Sequence, residues 1–155
     1  MDEMNEVRLA ARRSRVSTTL AIALCWVPPA IAIVFTVTWS ELLALDLPTR
    51  WSGDDVISTM PGWVVALGAI VISAVCSALA TSAITSPDAT PAAIIFSAGL
   101  SAVAASVWIL IGSESMSRGA GGISPLAAVS PLLVLWGLLP LALSRARAQH
   151  RSQEV

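Results

Sequence analysis

Charged side chains are absent from four long stretches of this chain, 16–40, 56–87, 89–113 and 119–144. Apolar residues occupy every face of a 3.6-residue repeat in each of them, interrupted only by scattered Ser and Thr. A helix drawn through such a stretch has no polar side to offer water. Roughly 20 residues of helix cross a hydrocarbon core about 30 Å thick, because each residue adds about 1.5 Å. The pattern therefore predicts transmembrane helices near 18–38, 62–83, 91–111 and 123–143, and an outer loop at 39–61. The expected architecture is all-α, a four-helix transmembrane bundle forming a single domain over 1–155.

Composition supports the reading. Charged residues are 12% of the chain, about half the usual share in soluble domains, and mean hydropathy is +0.77. What charge exists is concentrated at the ends. Arg8, Arg12, Arg13 and Arg15 precede the first span, and Arg145, Arg147 and Arg151 follow the last. Only Arg50 and Arg118 fall in the first and third connections. With both termini inside, seven Arg lie in the cytoplasm and two outside, the asymmetry that sets orientation. An N-in, C-in topology in the plasma (inner) membrane of a bacterium is expected. The bacterial source is suggested by the all-Arg basic set and the absence of Tyr, a GC-rich coding bias. The first apolar run is too long for a signal-peptide core, so the first span is expected to remain attached.

Features inside the spans are structural in character. Pro28 and Pro29 sit mid-span and remove the donors that Leu24 and Cys25 carbonyls would use, so a bend is expected there and other helices must satisfy those carbonyls. Ala69, Ser73, Ser77 and Thr81 recur every fourth residue, as do Ala93, Ser97, Ser101 and Ala105. Two such stripes joined by a short link predict a tight antiparallel helix pair. Cys25 and Cys76 are read as small packing residues. Trp39 and Trp63 suit the outer membrane boundary.

Chemistry-bearing groups are scarce. No span contains a carboxylate, His or Arg, the residues that mark proton and ion pathways in membranes. No phosphate loop, metal-ligand spacing or nucleophile–base arrangement is present. The chain is expected to be non-enzymatic, with no cofactor and no catalytic or metal-binding residues. Arg8, Arg12 and Arg15 share one helical face, and lipid headgroups explain them better than nucleic acid does, since Asp2, Glu3 and Glu6 lie nearby without an aromatic platform.

One loop carries more information. It holds Glu41, Asp46, Asp54 and Asp55 against Arg50. The run Asp46-Leu47-Pro48-Thr49-Arg50-Trp51-Ser52-Gly53-Asp54-Asp55 resembles the loop of a bacterial membrane module found at the N-terminus of SdpI-like toxin-immunity proteins and in small uncharacterised relatives. Leu47, Pro48, Thr49, Trp51 and Gly53 match that motif, and Arg50 stands where the family usually has His. The likeness covers about the first half of the chain. It implies a membrane protein that handles an extracellular peptide, toxin or envelope signal.

From the residues themselves, Pro48 pre-sets a turn, Trp51 offers a broad amphipathic face, and Arg50 can bind polar groups. Pro48, Arg50, Trp51, Asp54 and Asp55 are the candidate partner-binding set. The other reading of the loop has it packed on the outer ends of its own helices with Trp51 as the plug. The leading expectation is an envelope protein of the immunity or sensing kind, whose partners are the lipid bilayer and an extracellular peptide or another membrane protein. The alternative is a small transporter or an accessory subunit of a transport complex, suggested by the proline-broken spans.

The orientation has a direct test. A fluorescent protein fused to the C-terminus should glow, and a periplasm-dependent phosphatase fused there should be silent; the reverse pattern refutes N-in, C-in.

Overall fold

The computed structural model describes the backbone of residues 2–52, 55–86, 88–117 and 135–151. Gly53, Asp54 and most of the expected fourth span, 123–134, lie outside the described residues. In chain order the elements are helix α1 (Asp2–Thr38), a 3-10 turn (Ser40–Ala44), strands β1 (Asp46–Ser52) and β2 (Asp55–Pro61), helices α2 (Gly62–Thr85) and α3 (Pro91–Ser117), and helix α4 (Leu138–Arg151). Three segments, Arg15–Thr38, Gly62–Thr85 and Pro91–Met116, are long and apolar enough to cross a membrane, and Leu135–Ser144 is a shorter apolar stretch. The chain is thus a largely helical, multi-pass membrane protein.

The first helix starts well before its apolar part. Its membrane-competent portion of 24 residues would be about 36 Å long at the usual rise, so the arginine-bearing N-terminal turns continue the same rod beyond the hydrocarbon. The all-α expectation fails at 39–61. That segment is a 3-10 turn followed by a two-stranded antiparallel hairpin. Ser52–Asp55 is the pair next to its tip and Asp46–Pro61 the pair at its base, with irregular pairing on either side of Arg50. The β-branched Val56, Ile57 and Thr59 favour extended backbone. Pro48 is tolerated because both strands of a two-stranded sheet are edges.

Small residues decide the helix packing. The buried side of α2 is Gly62, Ala66, Ala69, Ser73, Cys76, Ser77, Ala80 and Ile84. On α3 the buried positions include Ile94, Ala98, Ser101, Ala102, Ala105 and Trp108. The predicted α3 stripe is displaced: Ala93 and Ser97 are only half-buried. A seam between two helices recurs about every 3.5 residues, so a strict four-residue stripe drifts off it. Helices α2 and α3 nevertheless make the most extensive helix–helix contact in the fold.

Three serines lock that contact to α1. Ser73, Ser77 and Ser101 are fully buried. Ser101 Oγ lies 2.9 Å from both Ser73 Oγ and Ser77 Oγ, and Ser77 Oγ donates to the Cys25 carbonyl at 2.6 Å. With the Ser77 proton on Cys25, Ser73 can donate to Ser101, and the single Ser101 proton is shared between Ser77 Oγ and the Ser73 carbonyl, 3.0 Å away. Chains of this kind strengthen each bond by polarisation.

The Cys25 carbonyl is available because Pro29 lacks the N–H that would have claimed it. The matching carbonyl of Leu24, deprived by Pro28, accepts from Trp136 Nε1 at 3.2 Å. Both acceptors are therefore satisfied by side chains of other elements, as a dry interior requires. The helix runs through both prolines without a break in its assigned span.

Above and below this polar layer sit two apolar clusters. One joins Ala21 and Cys25 of α1, Ala80 and Ile84 of α2, Ile94 and Ala98 of α3, and Leu141 of α4. The other, at the hairpin end, joins Leu42, Leu47, Ala66, Ala69 and Trp108. Gly137 lies so close to the Ile95 carbonyl that any Cβ there would collide with it, which brings the start of α4 against α3.

Substitution tests the proline–serine coupling. Ser77→Ala should cost about 1–3 kcal/mol by orphaning the Cys25 carbonyl. In a Pro29→Ala background the same change should cost distinctly less, because the restored backbone N–H can take that carbonyl. Equal losses in both backgrounds, measured by unfolding in detergent, contradict the coupling.

Candidate functional site

The hairpin is held at its base, and its described residues Arg50 and 56–61 are exposed. Entry is set by a relay of backbone bonds: Trp39 N to Phe35 O at 2.8 Å, Leu42 N to Trp39 O at 2.9 Å, and Leu45 N to Leu42 O at 3.2 Å. Exit is tied to the same place, since Gly62 N donates to Leu45 O at 2.8 Å. Gly62 also abuts the Leu42 carbonyl so tightly that a Cβ has no room. The start of α2 and the 3-10 turn are thus in backbone contact, and Gly is what permits it.

Side chains complete the anchor. Leu47 is 1% exposed and Leu42 7%, and both enter the cluster around Ala66, Ala69 and Trp108. Trp39 tilts on Phe35 with ring centroids 4.7 Å apart and meets Trp108 edge-on at 6.2 Å. Such pairs add stabilisation beyond their buried area. Trp39 is therefore a packing residue of the anchor as well as a boundary residue. Trp63, exposed, keeps the boundary role. Trp108 Nε1 is buried with no hydrogen-bond partner among the described residues.

The candidate residues divide between anchor and strand. Pro48 is buried beside Leu47 at the base of β1. Arg50 is exposed on the same strand, paired across the sheet with Ser58. Trp51 pairs with Val56 and Asp55 with Ser52 toward the tip; their side chains, and Asp54 altogether, fall outside what is described. The structure thus brings Arg50, Trp51 and Asp55 onto one short hairpin and separates Pro48 from them as part of its footing. Leu47 fills the cluster at the helix ends from the base of the hairpin; the side chain of Trp51, the plug in the other reading, lies outside the described residues.

Sequence reasoning missed the second strand. Val56, Ile57 and Met60 are large apolar side chains exposed at 40%, 56% and 44%, beside an exposed Leu45 and the exposed carboxylate-bearing residues Glu41 and Asp46. The signal was available. Two extended-favouring runs flank Gly53 and Asp54, a spacing typical of short hairpins. Chemically the hairpin offers exposed apolar side chains, Val56 and Met60 on one face and Ile57 on the other, one guanidinium, acidic flanks and, among the described residues, two outer strand edges. That set can bind an extended or amphipathic partner. Among the described residues no group of three or more His, Cys, Asp or Glu side chains comes together.

No family model matches this chain, and neither a curated protein nor a solved structure does.

Anchor and surface should separate by mutation. Leu47→Ala should destabilise by about 2–5 kcal/mol as a buried truncation, while Arg50→Ala should stay within about 0.5 kcal/mol. Thermal unfolding in detergent distinguishes them, and comparable losses would remove Leu47 as the anchor.

Proposed function

We propose that this protein is a non-enzymatic component of the bacterial cytoplasmic membrane that recognises an extracellular peptide or membrane partner through its outer hairpin, in an immunity or sensing role like that implied by the SdpI-like motif. The observation that carries the reading is the exposure of Val56, Ile57 and Met60 on a hairpin whose base is buried through Leu42 and Leu47. A fixed base with an apolar, edge-exposed strand is suited to recognition: little ordering remains to be done when a partner binds.

The proposal includes four crossings with both termini inside. The described segments support it. Trp108 of α3 meets Trp39 at the end of α1, so α3 finishes at the hairpin end. The described chain resumes at Leu135, and Trp136 and Gly137 contact Leu24, near the middle of the apolar part of α1, and Ile95, early in α3. The chain leaves the hairpin end of the bundle and is next found about midway down it. Seven Arg against two support a hairpin on the outer side. The proline-bearing first span was the reason to consider transport. Its freed carbonyls are engaged by Ser77 and Trp136 and so are not open ligands for an ion, which favours recognition.

Cells lacking the gene should become more sensitive to one class of envelope-active peptides, and the intact gene should restore resistance. An Ile57→Asp variant that still inserts should protect about tenfold less well, the loss of one good contact. Unchanged sensitivity across a broad peptide panel would remove the immunity reading.

A further inference from the structure

We propose that the end of the bundle opposite the hairpin is a composite site for an anionic phospholipid, built jointly by α1 and α4. Two contacts set the register of these helices. Trp136 reaches the Leu24 carbonyl and lines one pocket with Val27, Pro28 and Ile31, and Leu141 packs in the cluster of Ala21 and Cys25. From Trp136 to Leu141 the partner on α1 thus shifts toward the N-terminus, so the helices run antiparallel, and they lie along each other over an extended contact. Continuing that register at equal rise per residue puts Arg147 level with about Arg15, and Arg151 level with about Ala11.

Two basic segments from opposite ends of the sequence thereby occupy the same height. Arg8, Arg12, Arg13 and Arg15 lie on α1, and Arg145, Arg147 and Arg151 on α4. Within the two helices, none of these seven has an acidic residue three or four positions away, the spacing at which helical ion pairs form. Asp2, Glu3 and Glu6 occupy the first turns of α1, beyond the level at which α4 ends. Asp88, exposed on the link between α2 and α3, is the remaining described acid at this end, and Glu154 follows Arg151 by three positions outside the described residues. Seven arginines against these five acids leave an excess of positive charge that suits an anion.

The neighbouring surface says which kind. On the hydrocarbon side of the arginines, Val16 and Leu20 of α1 and Leu138 and Leu139 of α4 are large, apolar and about half exposed. A ligand with an anionic head and aliphatic tails meets both requirements at once. Guanidinium forks match phosphate oxygens bidentately, and arginines at this depth attract anionic headgroups. The inference concerns the opposite end of the molecule from the hairpin and does not rest on any role for it.

The test uses the full-length protein in nanodiscs of phosphatidylcholine alone or with phosphatidylglycerol, with lipid retention read by native mass spectrometry. Phosphatidylglycerol should be retained roughly tenfold over phosphatidylcholine. R12Q/R13Q and R145Q/R147Q should each reduce that preference, and the combined variant should lose less than the product of the two, because both pairs serve one headgroup. R50Q should change nothing, and inorganic phosphate should not displace the lipid. The preference is a ratio of two lipids on the same molecules, so partial misfolding of a variant does not mimic its loss. Absence of the preference, independent effects of the two pairs, an equal effect of R50Q, or full displacement by inorganic phosphate each overturns the proposal.

Discussion

Two carbonyl groups in a dry interior organise this molecule. Pro28 and Pro29 withhold the donors that the Leu24 and Cys25 carbonyls would ordinarily take, and hydrocarbon offers no water in exchange. The chain answers from two directions, with Ser77 of α2 on Cys25 and Trp136 on Leu24. These bonds set α1 in register with its neighbours. Ser77 is in turn tied to Ser101, so the same acceptor draws α3 into place. A position that would break a helix in isolation becomes the point on which the others converge.

The polar layer at the centre leaves the two ends free to differ. At one end aromatic residues close a dry cluster, and Leu47 ties the hairpin to it. The exposed part of that hairpin carries apolar side chains and open backbone edges, with acids at its flanks. At the other end α1 and α4 carry arginines with no acidic residue three or four positions away in their own helices. A peptide-like partner is proposed for the first end and bilayer phosphates for the second. The serines in between are engaged with one another.

Much of this was legible from residue order. Three of the four long uncharged runs coincide with helices long and apolar enough to cross a membrane, since burying a charge in lipid is costly. The small residues of α2 mark a close helix contact because only small side chains let backbones approach. The need to satisfy the Leu24 and Cys25 carbonyls follows from the prolines alone. The candidate site was legible to a lesser degree. Arg50, Trp51 and Asp55 do share one hairpin, yet Pro48 belongs to its footing, and the exposed strand with Val56, Ile57 and Met60 was hidden inside a run that hydropathy joins to α2. A hydropathy window averages over neighbours and cannot tell an extended apolar strand from the first turn of a helix.

What the sequence determined by itself was environment: which segments sit in hydrocarbon, which ends carry charge, and which backbone groups would need a partner. These follow from transfer free energy and covalent geometry, both local to a residue. Partner identity was decided only by the fold. That Ser77 and Trp136 are the donors, and that Leu47 reaches the cluster at the helix ends, both depend on helix register. Register is set by how side chains of several helices interlock at once, and no single segment carries that information.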